Sequence, residues 1–103
     1  MLSFPGVFSP TEAFTALRAG ADGLKFFPAF KLGIDGFKAV KAVLPATAPT
    51  YAVGGVGPEN FAAWKTAGVT GFGIGSNLFK PGMTVADIAA NAQGMVAAYD
   101  EVF

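Results

Sequence analysis

The chain has 103 residues, a formal net charge of zero, eleven phenylalanines and neither cysteine nor histidine. Without those two residue types it can form no disulfide, no Ser–His or Cys–His nucleophilic pair and none of the usual zinc or iron sites. The scattered, balanced charge argues against a nucleic-acid partner, and no apolar run approaches the ~20 residues of a membrane span. We therefore expect a soluble, cytoplasmic protein with no signal peptide, no metal and no cofactor.

Four short apolar segments alternate with four helical patterns along the chain. Strands are predicted at residues 2–8, 23–27, 50–53 and 71–74. Strands that alternate with helices of ten or more residues indicate parallel βα units. The fold class predicted from this order is α/β, with residues 1–103 forming a single domain or part of one.

The first two helices have marked ends. Ser9 is an N-cap residue, Pro10 occupies the first helical position and Glu12 closes a capping box, while Gly20 fits the C-terminal stop. The second helix is predicted to be capped by Asp35 and to end before Pro45, with apolar residues at helical spacing between them.

The other two helices follow the third and fourth strands. One is predicted to begin at Pro58 and to end at Gly68, with Phe61 and Trp64 facing inward. The last is predicted to begin at Thr84, with Asp87 three residues later. Its apolar stripe is expected to be ordinary core: Ile88, Ala92, Met95, Val96 and Tyr99.

An internal repeat supports this organisation. A shift of 48 positions superposes four features, namely Gly6 on Gly54, Pro10 on Pro58, the pair 19–20 on 67–68, and Gly23 on Gly71. Each copy covers about two βα units, the quarter-barrel periodicity expected of a (β/α)₈ barrel. A closed barrel has eight strands and commonly about 250 residues, so this chain supplies only half of one.

Half a barrel has two open sheet edges and an exposed core face, which something must cover. We expect one of three arrangements: a fragment whose first half is missing, a pair of identical copies, or a half that exists only beside a partner.

Lys25 is the sharpest functional clue in the chain. It lies within residues 24–28, an apolar run typical of a buried strand, whereas the other lysines are predicted in loops or on helix faces. Desolvation disfavours an ammonium and favours the neutral amine, which can form a Schiff base with a ketone. The alternative is structural: a lysine near a strand end can lay its stem on apolar surface and keep its charge in water.

Glycines follow the last two strands. Gly54 and Gly55 come after the third strand, while Gly75 and Ser76 come after the fourth. Glycine lets backbone N–H groups approach a phosphate closely, and a serine hydroxyl can donate a further hydrogen bond. If these are the seventh and eighth strands of a barrel, they hold the phosphate site common in that fold, although glycines also serve tight turns.

Five segments together resemble, in order and spacing, the C-terminal half of the class I 2-keto-3-deoxy-6-phosphogluconate and 6-phosphogalactonate aldolases. The segments are residues 4–7, 9–13, 24–29, 53–56 and 73–76. The resemblance covers essentially the whole chain, and Lys-Phe-Phe-Pro at 25–28 is its most specific part. Valine before the glycine pair, at Val53, is similar to the galactonate branch, since the gluconate enzymes tend to carry threonine there.

The resemblance implies a function in galactonate catabolism: cleavage of 2-dehydro-3-deoxy-6-phosphogalactonate to pyruvate and D-glyceraldehyde 3-phosphate. It implies that Lys25 forms the Schiff base and that Gly54, Gly55 and Ser76 lie at the phosphate site, where the glycine pattern also places Gly75. We expect the substrate pocket to be lined by Phe27, Pro28 and Val53. The implied partners are a phosphorylated keto-acid substrate and further copies of the chain, as a trimer, or the missing N-terminal half.

The chain also departs from the family. The family's acid/base glutamate and the arginine for the substrate carboxylate come from early strands that this sequence does not contain. We therefore expect the isolated chain to be weakly active or inactive. Two other functions stay open, namely a phosphosugar isomerase or synthase in which Lys25 is only an electrostatic group, and a non-catalytic phosphate-binding half-barrel that assembles with itself.

Overall fold

Each of the four predicted βα units is present in the computed structural model, which describes residues 1–103. The strands are short: β1 (Gly6–Val7), β2 (Leu24–Phe26), β3 (Thr50–Val53) and β4 (Gly71–Gly73). The helices between and after them are α1 (Pro10–Arg18), α2 (Ala29–Lys41), α3 (Phe61–Ala67) and α4 (Val85–Val102).

The strands form one parallel sheet in the order β1-β2-β3-β4, as predicted for half of a barrel. One row of paired residues crosses the whole sheet, from Gly6 to Lys25, Tyr51 and Gly71. Since β1 and β4 each have one neighbouring strand, the sheet has two free edges. The prediction of open edges is confirmed.

The core lies between the sheet and the helices. Leu24 and Phe26 of β2 are fully buried, as is Phe37 of α2. The ring of Phe37 contacts two other rings edge to face, with centroids 5.1 Å from Phe26 and 5.7 Å from Trp64. These contacts join a strand to two helices, so this aromatic group fixes how α2 and α3 sit on the sheet.

The local signals at α1 and α4 are confirmed. The Ser9 hydroxyl accepts a hydrogen bond from the N–H of Glu12, and Thr84 forms a complete capping box with Asp87. Gly20 follows α1 with a φ of 93°, in the left-handed region that glycine tolerates. Gly68 has the same role after α3, with a φ of 105°, so these repeat-related glycines are structurally equivalent.

The predicted start of α3 is wrong, and that of α2 is right only for its second part. Helix α2 consists of two helical segments separated by a break at Gly33, where φ is 73° and ψ is 166°. The segment after the break begins next to Asp35, as predicted, whereas the turn that begins at Ala29 was not predicted. Helix α3 begins at Phe61 rather than Pro58, because Asn60 uses its side chain to accept a hydrogen bond from the N–H of Gly57 and closes a turn there.

The prediction that the apolar stripe of α4 is core is also wrong for this chain. No residue of α4 is buried, and Val96 and Tyr99 are exposed. The helix packs mainly on α3 and is anchored at its C-terminal end, where Phe103 stacks on Tyr99 and meets Phe72 edge to face. Elsewhere on this face Ile88, Ala92 and Met95 are only partly buried, and Met95 lines an open groove together with Phe61 and Phe72. None of the four helices combines the length and hydrophobicity that crossing a bilayer requires.

We expect Phe37→Ala to lower the free energy of unfolding by about 3–5 kcal/mol, because it removes a fully buried ring that contacts β2 and α3. Urea unfolding followed by circular dichroism measures the loss. Phe79→Ala is the matched control, since Phe79 is 54% exposed, and should change the stability by no more than about 0.5 kcal/mol. Equal losses in the two variants would contradict this assignment of the core.

Candidate active site

Lys25 lies on the sheet face that points away from the core. Its neighbours in β2, Leu24 and Phe26, point toward the helices and are fully buried, so the alternation of a strand places Lys25 on the opposite face. There it is half-buried. The prediction of a buried strand at residues 24–28 therefore holds for Leu24 and Phe26 but only in part for Lys25, because the face on which Lys25 stands is open.

The row of residues beside Lys25 leaves room for its side chain. A β-carbon at Gly6, its partner on β1, would lie 3.4 Å from the Cε of Lys25. On the other side Tyr51 leans toward Gly71, where a β-carbon would lie 3.2 Å from the Tyr51 ring. Glycines at both ends of the row thus allow its two long side chains to lie across the sheet.

Phe27 links Lys25 to the carboxyl end of the sheet. The Nζ atom of Lys25 is 5.3 Å from the centroid of the Phe27 ring, a distance at which an ammonium is attracted to the ring face. The same ring would be 3.4 Å from a β-carbon at Gly54. Phe27 therefore contacts both the amine and the first glycine loop.

The loop after β3 requires its glycines. Gly54 and Gly55 have φ values of 100° and 70°, which side-chain-bearing residues rarely adopt. A β-carbon at Gly55 would also lie 2.8 Å from the Cβ of Phe30, at the start of α2. The Phe30 N–H donates to the Gly54 carbonyl over 3.2 Å, so the loop is held directly against the first turn of α2.

Two asparagines hold this loop from the other side. The amide of Asn60 donates to the Gly55 carbonyl and accepts from the Gly57 N–H, both over 3.0 Å. Asn77, from the loop after β4, donates to the Val56 carbonyl over 2.8 Å. The carbonyls of the loop are thus turned toward these amide groups.

The two glycine loops and Phe27 enclose a pocket of about 250 Å³ at the carboxyl end of the sheet. The lining includes six of the predicted site residues, which are Phe27, Val53, Gly54, Gly55, Gly75 and Ser76. Four further residues complete it: Phe30, Val56, Gly73 and Asn77. Lys25 stands beside the pocket, and Pro28 lies outside it as the residue before α2.

The pocket is lined by no charged side chain, yet it can accept an anion. The N–H groups of Gly55, Ser76 and Asn77 donate to no acceptor within the chain. Clustered N–H groups without internal partners form a concave site of positive potential. A larger depression of about 460 Å³ runs along β1 and α1, but it borders neither Lys25 nor the two glycine loops.

Sequence reasoning missed Phe30 and Asn77. Asn77 directly follows the Gly75-Ser76 pair, which was the only signal for it, while Phe30 was hidden by the expectation that α2 begins later.

We expect Gly54→Ala to lower the stability by about 1–2 kcal/mol, because alanine is strained at a φ of 100°. Gly75→Ala is the matched control: a β-carbon there meets nothing within 4 Å and its φ is not positive. It should change the free energy of unfolding by no more than about 0.5 kcal/mol in the same urea titration. Indistinguishable stabilities would refute the left-handed geometry at Gly54.

No protein-family model matches the chain. Curated proteins do match it over nearly its full length. It is 52% identical over 103 residues to a probable 2-dehydro-3-deoxy-6-phosphogalactonate aldolase of Rhizobium meliloti (strain 1021), covering 100% of this chain and 49% of that protein. It is 50% identical over 97 residues to the 2-dehydro-3-deoxy-6-phosphogalactonate aldolase of Escherichia coli (strain K12), covering 94% of this chain and 47% of that protein. The chain thus spans about half the length of these relatives.

Solved structures agree with this match. A structure described as native KDPGal superposes on 99% of this chain and 50% of its own, with a TM-score of 0.95 and 49% identity. A cube-shaped protein cage, designed by fusing symmetric oligomeric domains, gives the same score and identity over 38% of its chain. A thiamine phosphate pyrophosphorylase from Pyrococcus furiosus gives a TM-score of 0.71 and 25% identity, covering 95% of this chain and 48% of its own.

The predicted fold class is confirmed, since the four βα units superpose on one half of the larger barrels. Nearly the whole of this chain matches the 2-dehydro-3-deoxy-6-phosphogalactonate aldolases, but only about half of each of those proteins is matched. The match is a partial one, to their C-terminal half.

Proposed function

We propose that this chain forms the lysine-bearing half of a Schiff-base aldolase that cleaves 2-dehydro-3-deoxy-6-phosphogalactonate to pyruvate and D-glyceraldehyde 3-phosphate. One observation carries the proposal: Phe27 contacts the Lys25 amine and also lines the pocket formed by the glycine loops. A substrate with a carbonyl at one end and a phosphate at the other would span these two groups.

In the proposed reaction, the neutral amine of Lys25 attacks the C2 carbonyl of the substrate, and loss of water leaves an iminium. The C4 hydroxyl then gives its proton to a base as the C3–C4 bond breaks. The bonding electrons move into the iminium and form an enamine, and the aldehyde leaves. A proton returns to C3, and water hydrolyses the second iminium to release pyruvate and restore Lys25.

The proposed roles of the other residues follow from their places around the pocket. N–H groups of Gly55 and Ser76 would donate to the phosphate, and Gly54 and Gly75 would shape the loops that carry them. Contacts to this remote phosphate would hold the reacting carbons near Lys25. Phe27 and Val53 would line the channel between the two ends, while Pro28 would act only by setting the start of α2.

The positions of the carboxylates support the proposal that the acid and base of the reaction lie outside this chain. Glu12 and Asp87 each accept a hydrogen bond from a backbone N–H at a helix start, and Asp22 accepts one from the N–H of Ser3. The other four carboxylates are exposed: Asp35, Glu59, Asp100 and Glu101. None is a candidate for the base at C4 or the acid at C3, so we propose that this chain supplies the nucleophile and the phosphate site without the proton shuttle.

Borohydride reduction in the presence of pyruvate tests the nucleophile. The sample is a chimera in which these residues replace the matched half of the Rhizobium meliloti relative. We expect peptide mass spectrometry to find a reduced pyruvyl adduct on Lys25, because reduction converts the reversible iminium to a stable amine. Lys25→Arg should abolish the adduct, whereas the exposed Lys31→Arg should keep it. A folded chimera without an adduct on Lys25 would refute the mechanism.

Comparison of the chain alone with the chimera tests the missing proton shuttle. We expect the chain alone to cleave the phosphorylated substrate about 10²- to 10⁴-fold more slowly, the usual cost of losing a positioned acid/base group. Pyruvate release measured with a coupled dehydrogenase gives the rates. If the chain alone and the chimera cleaved the substrate at equal rates per mole of protein, this chain would contain its own acid and base.

A second candidate function is a phosphate-using synthase, which the similarity to the thiamine phosphate pyrophosphorylase favours. The sequence identity of that pyrophosphorylase to this chain is about half the identity of the aldolases, and a synthase would leave no pyruvyl adduct on Lys25.

For the intact enzyme we propose a homo-oligomer, which the family resemblance makes a trimer. The similar cage, built from symmetric oligomeric domains, supports self-assembly. A non-catalytic, self-assembling half-barrel would form oligomers by light scattering but no adduct.

A further inference from the structure

The proposed phosphate pocket depends on the alignment of two separate loops. Gly55 belongs to the loop after β3, whereas Ser76 and Asn77 belong to the loop after β4. The N–H groups of these three residues lack acceptors within the chain, and no charged side chain lines the pocket. Fixed N–H dipoles act over short distances only, so a phosphate gains from both loops only while their spacing is held.

A single hydrogen bond joins the two loops directly. It runs from the Asn77 side-chain amide to the Val56 carbonyl over 2.8 Å, between residues 21 positions apart. The other hydrogen bonds of these segments attach each loop to itself or to a neighbouring helix. They join Asn60 to Gly55 and Gly57, Phe30 of α2 to Gly54, Leu78 and Phe79 to Gly75, and Asn91 of α4 to Leu78. Beyond the pairing of β3 with β4, which ends at Val53 and Gly73, this hydrogen bond is the direct link between the two loops.

The packing around Asn77 supports the same role. A β-carbon at Gly57 would lie 2.9 Å from the Asn77 side-chain nitrogen and 2.8 Å from a carboxylate oxygen of Glu59. The φ of Gly57 is not positive, so no backbone strain demands glycine at this position. The space above Gly57 is thus occupied by the Asn77 amide as it reaches Val56.

We propose that Asn77 is a positioning residue that sets the spacing of the two phosphate-binding loops, and that it acts on phosphate affinity rather than on the chemistry at Lys25. This proposal rests on the proposed aldolase function for the identity of the ligand. It predicts a specific separation of effects, because pyruvate carries no phosphate and does not use the pocket.

The first experiment titrates the full 103-residue chain with inorganic phosphate and follows backbone amide resonances by NMR. We expect the resonances of Gly55, Ser76 and Asn77 to shift with added phosphate. Asn77→Ala should weaken the affinity roughly three- to tenfold, the range of one hydrogen bond, and should shift the Gly55 and Val56 resonances even without phosphate. The matched control is Asn91→Ala, which removes a similar amide bonded to the Leu78 carbonyl outside the pocket.

A second variant disturbs the same hydrogen bond from the opposite side. Gly57→Ala should displace the Asn77 amide and weaken phosphate binding as Asn77→Ala does, whereas Glu59→Ala controls for the displaced carboxylate. Unchanged phosphate affinity in both Asn77→Ala and Gly57→Ala would overturn the proposal, as would phosphate shifts that fall outside the two loops.

The chimera separates this proposal from the proposed function. Asn77→Ala should raise KM for the phosphorylated substrate roughly three- to tenfold while pyruvate trapping at Lys25 stays at the parent level. Equal losses of trapping and of substrate affinity would indicate a general structural role and overturn the proposal. A parent chimera that shows no trapping would instead defeat the aldolase mechanism, and the phosphate titration would still test the spacing role of Asn77.

Discussion

Because side chains alternate along a strand, the core residues of β2 and the lysine between them lie on opposite faces of the sheet. Leu24 and Phe26 point to the helices and build the core, which leaves Lys25 between them on the opposite face. A shift of one residue in the register of β2 would send the lysine into the aromatic core and bring the two large side chains out. The rows formed with β1 and β3 hold this register, and the position of the amine beside Phe27 depends on them.

The anion binding proposed for the pocket between the two glycine loops would rely on backbone geometry instead of side-chain charge. Lysines and arginines attract a phosphate over long distances, but they are screened by salt and mobile. N–H groups fixed by Gly54, Gly55 and the loop after β4 act only on a ligand already in place. Such a site selects shape and distance, which suits a substrate that must be held at a defined separation from an amine.

Local signals allowed much of the fold to be predicted. Ser9 with Glu12 and Thr84 with Asp87 carry their own hydrogen-bond partners within one turn, so sequence alone defines those helix starts. The first turn of α2 could not be predicted in this way, because Pro28 precedes it without a side-chain cap and the turn ends at Gly33 after four residues. Pairing of Asn77 with Val56 joins residues from different βα units, and no local pattern reports such a contact.

The exposure of Lys25 and of α4 could not be predicted for a different reason. Both were expected to be buried because apolar neighbours in sequence usually mean burial, but burial also needs a second surface. The sheet is covered by helices on one face only, and the apolar stripe of α4 extends past α3. Periodicity predicts which side of an element is apolar, and only the remaining structure determines what meets it.

The free edges of β1 and β4 present backbone N–H and C=O groups with which further strands can pair. An uncapped parallel edge beside exposed rings such as Phe4 and Phe8 is a template for pairing with any extended chain that it meets. A strand paired with either edge would satisfy those backbone groups and remove the template.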